Sequence, residues 1–369
     1  MKIALVHDYI KEYGGAERVL KTLTEMYPNA PIYTAFAFEN STAWKEFEGR
    51  KINESFLAPI LKIAKLYSPL RFLIPLIWRS FDLSDYDLVI TSCSWYITRG
   101  FKIGPKTKVV CYCHTPPRWL YGYETSVGFT KYWPVKIYSA IIGHFMRMYD
   151  FSTAQKINHW IANSKNVQAR IEKFYRKDST VIYPPVEVED VIKKIKGLKK
   201  EDYFLIVSRL VGAKGLEEAV AAFKKLPYKL KVVGEAHGFS DVEKKLKKLS
   251  GGNIELLGRV SDEELYALYA KAKGFIALAR DEDFGMTVVE AQAAGTSIIA
   301  FNGGGFKESI IDGVTGILIN DTDEESLRKA INSFARINWD KKKIQENAKQ
   351  FSKERFVREL NQFIKQVLK

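Results

Sequence analysis

Cysteine is scarce: Cys93, Cys111 and Cys113 are the only three in 369 residues. An odd count, with two of them one residue apart, supports neither a disulfide framework nor a metal site and points to a reducing compartment. No run of about 18 uncharged apolar residues occurs, so no membrane-spanning helix is expected. The start, MKIALVHDY, reads as a buried strand and lacks a charged-then-apolar leader pattern. The G-x-G-x-x-G fingerprint is missing. Gly14-Gly15 instead follow the first strand after a seven-residue loop, which argues against a nicotinamide-dependent oxidoreductase. Basic charge is present without any base-recognition motif, so no nucleic-acid partner is expected.

What is present is a soluble globular balance, 46% hydrophobic and 27% charged, in a chain long enough for two cores. Aromatics are high at 13%. The net charge is +14, and it is uneven. Residues 1–185 hold 25 basic and 15 acidic side chains, whereas 186–369 hold 32 and 28. The first half is therefore the one suited to a polyanion, such as anionic lipid or a diphosphate.

Hydrophobic patterning alternates between short apolar runs and helical spacing. Residues 3–6 predict a strand and 16–26 a helix. Further strands are expected at 87–91, 108–113 and 159–162, and helices at 134–156 and 166–175. Near Pro184-Pro185 the rhythm breaks, and the lysine-rich stretch VIKKIKGLKKED reads as the boundary. A second series follows: strands at 203–207, 230–233, 254–257, 274–277 and 297–300, with helices at 216–225, 241–249, 262–272 and 287–294. Helices at 340–350 and 353–368 close the chain. This alternation predicts two α/β domains with parallel sheets, 1–185 and 186–350. Residues 351–369 form a last helix that could return to the first domain.

Two segments carry chemistry. Asp281-Glu282-Asp283-Phe284-Gly285-Met286-Thr287 leads into a helix bearing Glu290, so two carboxylates flank a helix start. Free backbone N–H groups there suit a phosphate, and the glutamates suit sugar and ribose hydroxyls. A surface loop with acidic residues at a helix N-terminus is the competing explanation. Ser208-Arg209-Leu210 and Lys214-Gly215 follow the first strand of the second series, where the carboxyl end of a parallel strand meets its ligand. Arg209 offers a forked donor and Lys214 a point charge for one diphosphate. A solvated basic loop is the plain alternative.

The pattern S-R-L-x4-K-G, followed by E-x7-E with Phe-Gly after the first glutamate, resembles glycosyltransferase family 4. So do Gly14-Gly15-Ala16-Glu17, the Pro184-Pro185 junction and Gly258-Arg259-Val260-Ser261. The resemblance implies a GT-B fold, two Rossmann-like domains facing a cleft, and transfer of a sugar with retention. It implies that Arg209 and Lys214 hold the donor diphosphate and that Glu290 holds the ribose. Glu282 would contact the sugar, with amides at Phe284, Gly285, Met286 and Thr287 around it. Arg259 and Val260 would lie near the base, and Gly14 and Gly15 would approach the donor. His114, in the run H-T-P-x-R-x-L, would touch the donor sugar. That run is similar to the O-antigen and exopolysaccharide mannosyltransferase branch, which suggests GDP-mannose, with UDP-sugars open.

No bound cofactor beyond the nucleotide sugar and no metal are expected, because Arg209, Lys214 and a helix end can carry the phosphate charge. A nucleotide-sugar epimerase or a sugar-binding scaffold without turnover are the rival readings. Residues 56–81 mix large apolar side chains with Lys62, Lys65, Arg71 and Arg79 and hold no acid; 132–149 add Trp133, Phe145, Arg147 and Met148. Such stretches either pack internally or lie on an anionic membrane. The expectation is a cytoplasmic protein on the inner face of the membrane, acting on a lipid-linked or glycan acceptor.

Overall fold

The computed structural model describes residues 1–63, 66–123, 133–235, 242–249 and 251–369. Thirteen strands build two sheets among these residues. The first contains β1 (Ile3–His7), β2 (Ile32–Thr34), β3 (Ile52–Glu54), β4 (Leu88–Cys93), β5 (Lys108–Cys113), β6 (His159–Ala162) and β7 (Thr180–Val181). Its order is β3-β2-β1-β4-β5-β6-β7, and every pairing is parallel. The second contains β8 (Tyr203–Val207), β9 (Lys229–Val233), β10 (Ile254–Gly258), β11 (Gly274–Ala277), β12 (Ile298–Phe301) and β13 (Gly316–Ile319). Its order is β10-β9-β8-β11-β12-β13, again all parallel. Both are Rossmann-like. The strand order reverses between β1 and β4 in one sheet and between β8 and β11 in the other, and such switch points are where open α/β sheets bind ligands.

Parallel strands are buried on both faces, and alternation shows it. In β4, Val89 points to one core with Val6 and Val109, while Leu88 and Ile90 point to another with Leu5 and Val110. The chain divides into two compact units. The first comprises residues 1–123, 133–185 and Glu354–Lys369; the second is Val186–Lys353. The helix Lys353–Val367 places Phe356, Leu360, Ile364 and Val367 on one stripe, and all four are buried in the first unit's core.

Several elements differ from the sequence reading. The lysine-rich stretch begins inside a helix, Val188–Lys194, with Val188 and Val191 buried, and continues as turn and loop; two apolar positions suffice because the helix's other face is solvated. Strands β2, β3, β7 and β13 and the helix Glu324–Phe334 were not expected. Three of those strands have only two or three residues, too few for a period of two to register. Pro59 and Pro75 lie inside helices. Each sits in the first turn of a short one, Ala58–Lys62 and Ile74–Arg79, where its missing N–H costs nothing. Asp241, Lys65 and Tyr132, which entered the sequence reading, lie outside the described residues.

Candidate active site

The second unit gathers its polar loops at the β8–β11 switch point. After β8, a 3-10 turn, Gly212–Lys214, carries Lys214. After β11, the loop 278–285 carries Glu282. Lys214 Nζ donates to Glu282 Oε2 at 2.5 Å, and both side chains are about four-fifths shielded from solvent, at 22% and 20% exposure. The cation and the first glutamate of the sequence reading therefore meet although 68 residues separate them.

The loop that holds Glu282 is set by glycines. Gly285 precedes the helix Met286–Ala293 at φ +89°, a left-handed conformation that other residues adopt at a cost. Gly304, after β12, has φ +54°, and a Cβ there would stand 2.3 Å from the Glu282 carbonyl oxygen. Next to it, Gly305 N–H donates to that same carbonyl at 2.9 Å. The Gly303-Gly304-Gly305 run was not singled out in the sequence. A triple glycine just after a strand was the available signal.

Glu290 lies one turn into the helix Met286–Ala293 and is 2% exposed. Its Oε2 accepts from the Tyr269 hydroxyl at 2.9 Å, a buried partner that the sequence reading missed. Phe284 turns its ring into the core against Phe351, with centroids 5.4 Å apart, so only its backbone could serve a ligand. Met286 and Thr287 are half-buried in the helix's first turn. Arg209 is exposed on the loop after β8, and no carboxylate among the described residues pairs with it. Arg259 and Val260 follow β10, two strands from β8 and at the sheet's edge. Arg259 is exposed and Val260 half-buried.

The first unit holds a second polar cluster at its own switch point, β1–β4. Register pairs His7 with Ser92, and Ser92 with Tyr112; His114 lies two residues beyond Tyr112. Ser92 Oγ is 3.0 Å from His7 Nδ1 and 2.8 Å from His114 Nε2. Glu17 Oε1 is 3.4 Å from His7 Nε2, and Glu17 Oε2 accepts from Gly14 N–H at 3.0 Å. Burial, and secondarily the neighbouring His7, pushes the pKa of His114 down to about 3, so its imidazole is neutral. Gly14 caps the helix Gly15–Met26, and Gly15 is exposed at its start. Asp8 caps the segment after β4, accepting from Trp95 N–H at 2.6 Å, and burial raises its pKa. Glu17 stood in the Gly14-Gly15-Ala16-Glu17 motif without a role, and the His7–Ser92 contact escaped the sequence reading because nothing local links positions 85 residues apart.

The aromatic-basic stretches are mixed. Trp78 and Ile77 are fully buried, and the Arg71 guanidinium lies between Trp95 and Trp119, 4.8 and 4.9 Å from their rings. Lys62 pairs with Glu54 at 3.0 Å. Neither cation is a free surface charge, which corrects their reading as lipid-facing heads. The helix Trp133–Gln155, in contrast, exposes Ile137, Ile141, Phe145 and Met148. These recur at intervals of three and four residues and so share one face. No helix among the described residues is long and apolar enough to cross a membrane.

Comparison with known proteins bears on the family and the fold. The model of Glycosyltransferase Family 4 matches residues 13–190, and that of Glycosyl transferases group 1 matches 188–351. The chain is 28% identical to an uncharacterized glycosyltransferase of Methanocaldococcus jannaschii, over 94% of this chain and 92% of the relative. A second uncharacterized glycosyltransferase of that organism is also 28% identical, with 58% of this chain and 59% of the relative aligned. An O-antigen chain mannosyltransferase of Salmonella typhimurium is 29% identical over 50% of this chain and 53% of its own. Among solved structures, Anabaena HepE in complex with UDP and glucose superposes with a TM-score of 0.68 at 20% identity, covering 100% of this chain and 99% of its own.

Proposed function

The chain is a glycosyltransferase assembled from a family 4 domain and a group 1 domain, and on that premise we propose that it moves mannose from GDP-mannose, with retention, onto a lipid-linked glycan. The observation that carries the donor site is the Lys214–Glu282 pair beside the helix bearing buried Glu290. A diphosphate arriving there meets Lys214, the exposed Arg209 and the backbone N–H groups of Met286 and Thr287 at the helix start. Glu290 takes the ribose diol, and Glu282, released from Lys214, takes a hydroxyl of the hexose. Charge that develops on the departing phosphate is met by groups already in place.

Both glutamates are thus engaged with hydroxyls, and neither serves as a covalent nucleophile. The bond from the anomeric carbon to phosphate oxygen breaks, and the acceptor oxygen bonds to that carbon from the same face. The acceptor's proton passes to the leaving phosphate. Arg209, Lys214 and the helix end carry the charge that Mg2+ carries in many phosphoryl sites, so transfer proceeds without metal.

Mannose is supported by the H-T-P-x-R-x-L run at 114–120 and by relatives named as mannosyltransferases, the Salmonella protein and a lipopolysaccharide core enzyme of Rhizobium leguminosarum. A UDP-sugar donor is the second reading, favoured by the UDP-bound Anabaena neighbour. A thermal-shift panel separates them, because a ligand that binds only the folded state raises its apparent stability. GDP should raise the melting temperature and UDP should not; the reverse result would replace mannose with a UDP-linked sugar. Product analysis with and without acceptor separates transfer from epimerisation.

The exposed stripe Ile137–Ile141–Phe145–Met148 and the basic excess of residues 1–185 support peripheral attachment to an anionic membrane. Ile141→Asp with Phe145→Asp should reduce co-sedimentation with anionic phospholipid vesicles by at least about tenfold, since each buried methylene contributes about 0.8 kcal/mol. Equal sedimentation of variant and wild type would rule the stripe out as the contact.

A further inference from the structure

We propose that Arg71, clasped between Trp95 and Trp119, is an anion receptor that takes a phosphate oxygen of a lipid-borne diphosphate on the acceptor. Two arginines of the first unit are enclosed by aromatic rings, and they differ in one respect. Arg99 is fully buried against Trp160 and Tyr175, and its guanidinium donates to the Asp150 carboxylate. That charge is neutralised from within. Arg71 has its guanidinium carbon 4.8 and 4.9 Å from the two tryptophan rings, and no carboxylate among the described residues pairs with it. Its Nη2 donates to the Ser68 hydroxyl at 2.5 Å. Its Nε is buried without a partner among the described residues. Nη1 has no partner there either, and it is not among the buried atoms, so it is the donor open to solvent.

Burial pushes the pKa of this guanidinium down, yet an arginine stays charged. A charge taken out of water without a counter-ion is unfavourable, and two tryptophan faces offset only part of that. An apolar side chain would fill the same slot at less cost. A ligand that brings the missing negative partner gives the charge its use, and a guanidinium with open donors matches phosphate oxygens. The place is right for a ligand. Trp95 stands just beyond β4 and Trp119 beyond β5, at the carboxyl edge of the first sheet beside its β1–β4 switch point. Asp8 is engaged in holding the clasp. It accepts from the backbone N–H of Ser94 at 3.4 Å and of Trp95 at 2.6 Å, and Trp119 Nε1 donates to the Trp95 carbonyl at 3.2 Å.

The surface next to the clasp selects the kind of phosphate. Phe72 and Leu76, just after Arg71 in the chain, are 43% and 50% exposed. Tyr138 donates to the Pro69 carbonyl, which sets the helix Trp133–Gln155, with its exposed Ile137 and Ile141, against the same segment. A cation beside exposed apolar side chains fits a phosphate carried on a hydrocarbon chain better than a free one. Enclosure by two rings suits one phosphate held singly rather than a charge resting on a bilayer. That the ligand is the acceptor rests on the transferase reading above; the binding of a lipid-borne phosphate does not.

Binding of farnesyl diphosphate and of farnesol to the full chain, followed by tryptophan fluorescence, tests the assignment. Wild type should bind the diphosphate at least about tenfold more tightly than the alcohol, the effect of one charge-assisted hydrogen bond. Arg71→Met fills the slot without charge. It should bind both probes alike, with a melting temperature at or above that of wild type. Arg71→Lys should keep part of the preference, and Lys214→Ala, altered in the other unit, should keep all of it. An Arg71→Met variant that still prefers the diphosphate, or that loses farnesol equally, would overturn the proposal. So would loss of the preference in Lys214→Ala, which would put the diphosphate in the donor site. Displacement of farnesyl diphosphate by an equal concentration of inorganic diphosphate would overturn the lipid-borne ligand. Vesicles of phosphatidylglycerol should bind Arg71→Met as well as wild type; weaker binding would put a membrane headgroup on Arg71 in place of the acceptor. A wild-type chain that shows the preference but transfers no sugar would keep the Arg71 site and remove the transferase reading.

Discussion

Lys214→Ala should lower kcat by about 100- to 1,000-fold, the effect of deleting one preorganised charge-stabilising group from a transfer site. The ammonium already lies 2.5 Å from the Glu282 carboxylate in a largely shielded position, so it need not be recruited from solvent when the donor arrives. Its partner at that moment is the phosphate oxygen on which negative charge accumulates. A contact that strengthens as the bond breaks appears in kcat more than in KM. Arg209 retains part of the stabilisation, which keeps the loss below that of an empty site. Lys214→Arg should recover some turnover, because it restores charge but replaces a compact ammonium with a planar fork. Initial-rate measurements over a range of donor concentration give both constants. A rise in KM alone would assign Lys214 to ground-state binding and contradict its role on the leaving group.

Glu290→Ala should abolish the melting-temperature rise that a saturating nucleoside diphosphate gives the wild type. Two ribose hydroxyls donating to one carboxylate are charge-assisted hydrogen bonds worth about 1.5–3 kcal/mol each, so their loss weakens binding by at least about 100-fold. Glu290 also accepts from Tyr269 in the core. Removing it takes the Glu290 acceptor from a buried hydroxyl at a cost of about 1–3 kcal/mol, and the variant's own melting temperature should drop. Tyr269→Phe separates the two effects: it removes the same internal hydrogen bond and should still respond to nucleotide. If Glu290→Ala responds as strongly as wild type, the carboxylate does not touch the ribose.

The regular alternation of apolar runs with helical spacing made the two parallel sheets readable, because buried parallel strands are apolar throughout and crossover helices are amphipathic. Glu282, Glu290, Arg209 and Lys214 were readable for a different reason. Each sits at a helix start or a strand end within a short, dense motif. The Lys214–Glu282 contact itself was not local, yet sheet topology delivers it once β8 and β11 are neighbours. Tyr269 could not be found in this way. It lies on the helix Asp262–Lys271 among ordinary core residues, and only packing turns its hydroxyl toward Glu290. The His7–Ser92–His114 chain was illegible for the same reason, since it joins three strands. Only His114 stood in a recognisable run. Arg71 shows the opposite error: its apolar neighbours suggested a lipid surface, whereas two tryptophans enclose it.

A crystal structure of the wild-type protein with GDP-mannose, or with GDP and mannose, bears most directly on the donor site. Diphosphate oxygens within hydrogen-bonding distance of Lys214 Nζ and the amides of the helix Met286–Ala293, with the ribose on Glu290, would be the predicted result. A nucleotide bound away from the β8–β11 switch point, with Lys214 still closed on Glu282, would contradict it.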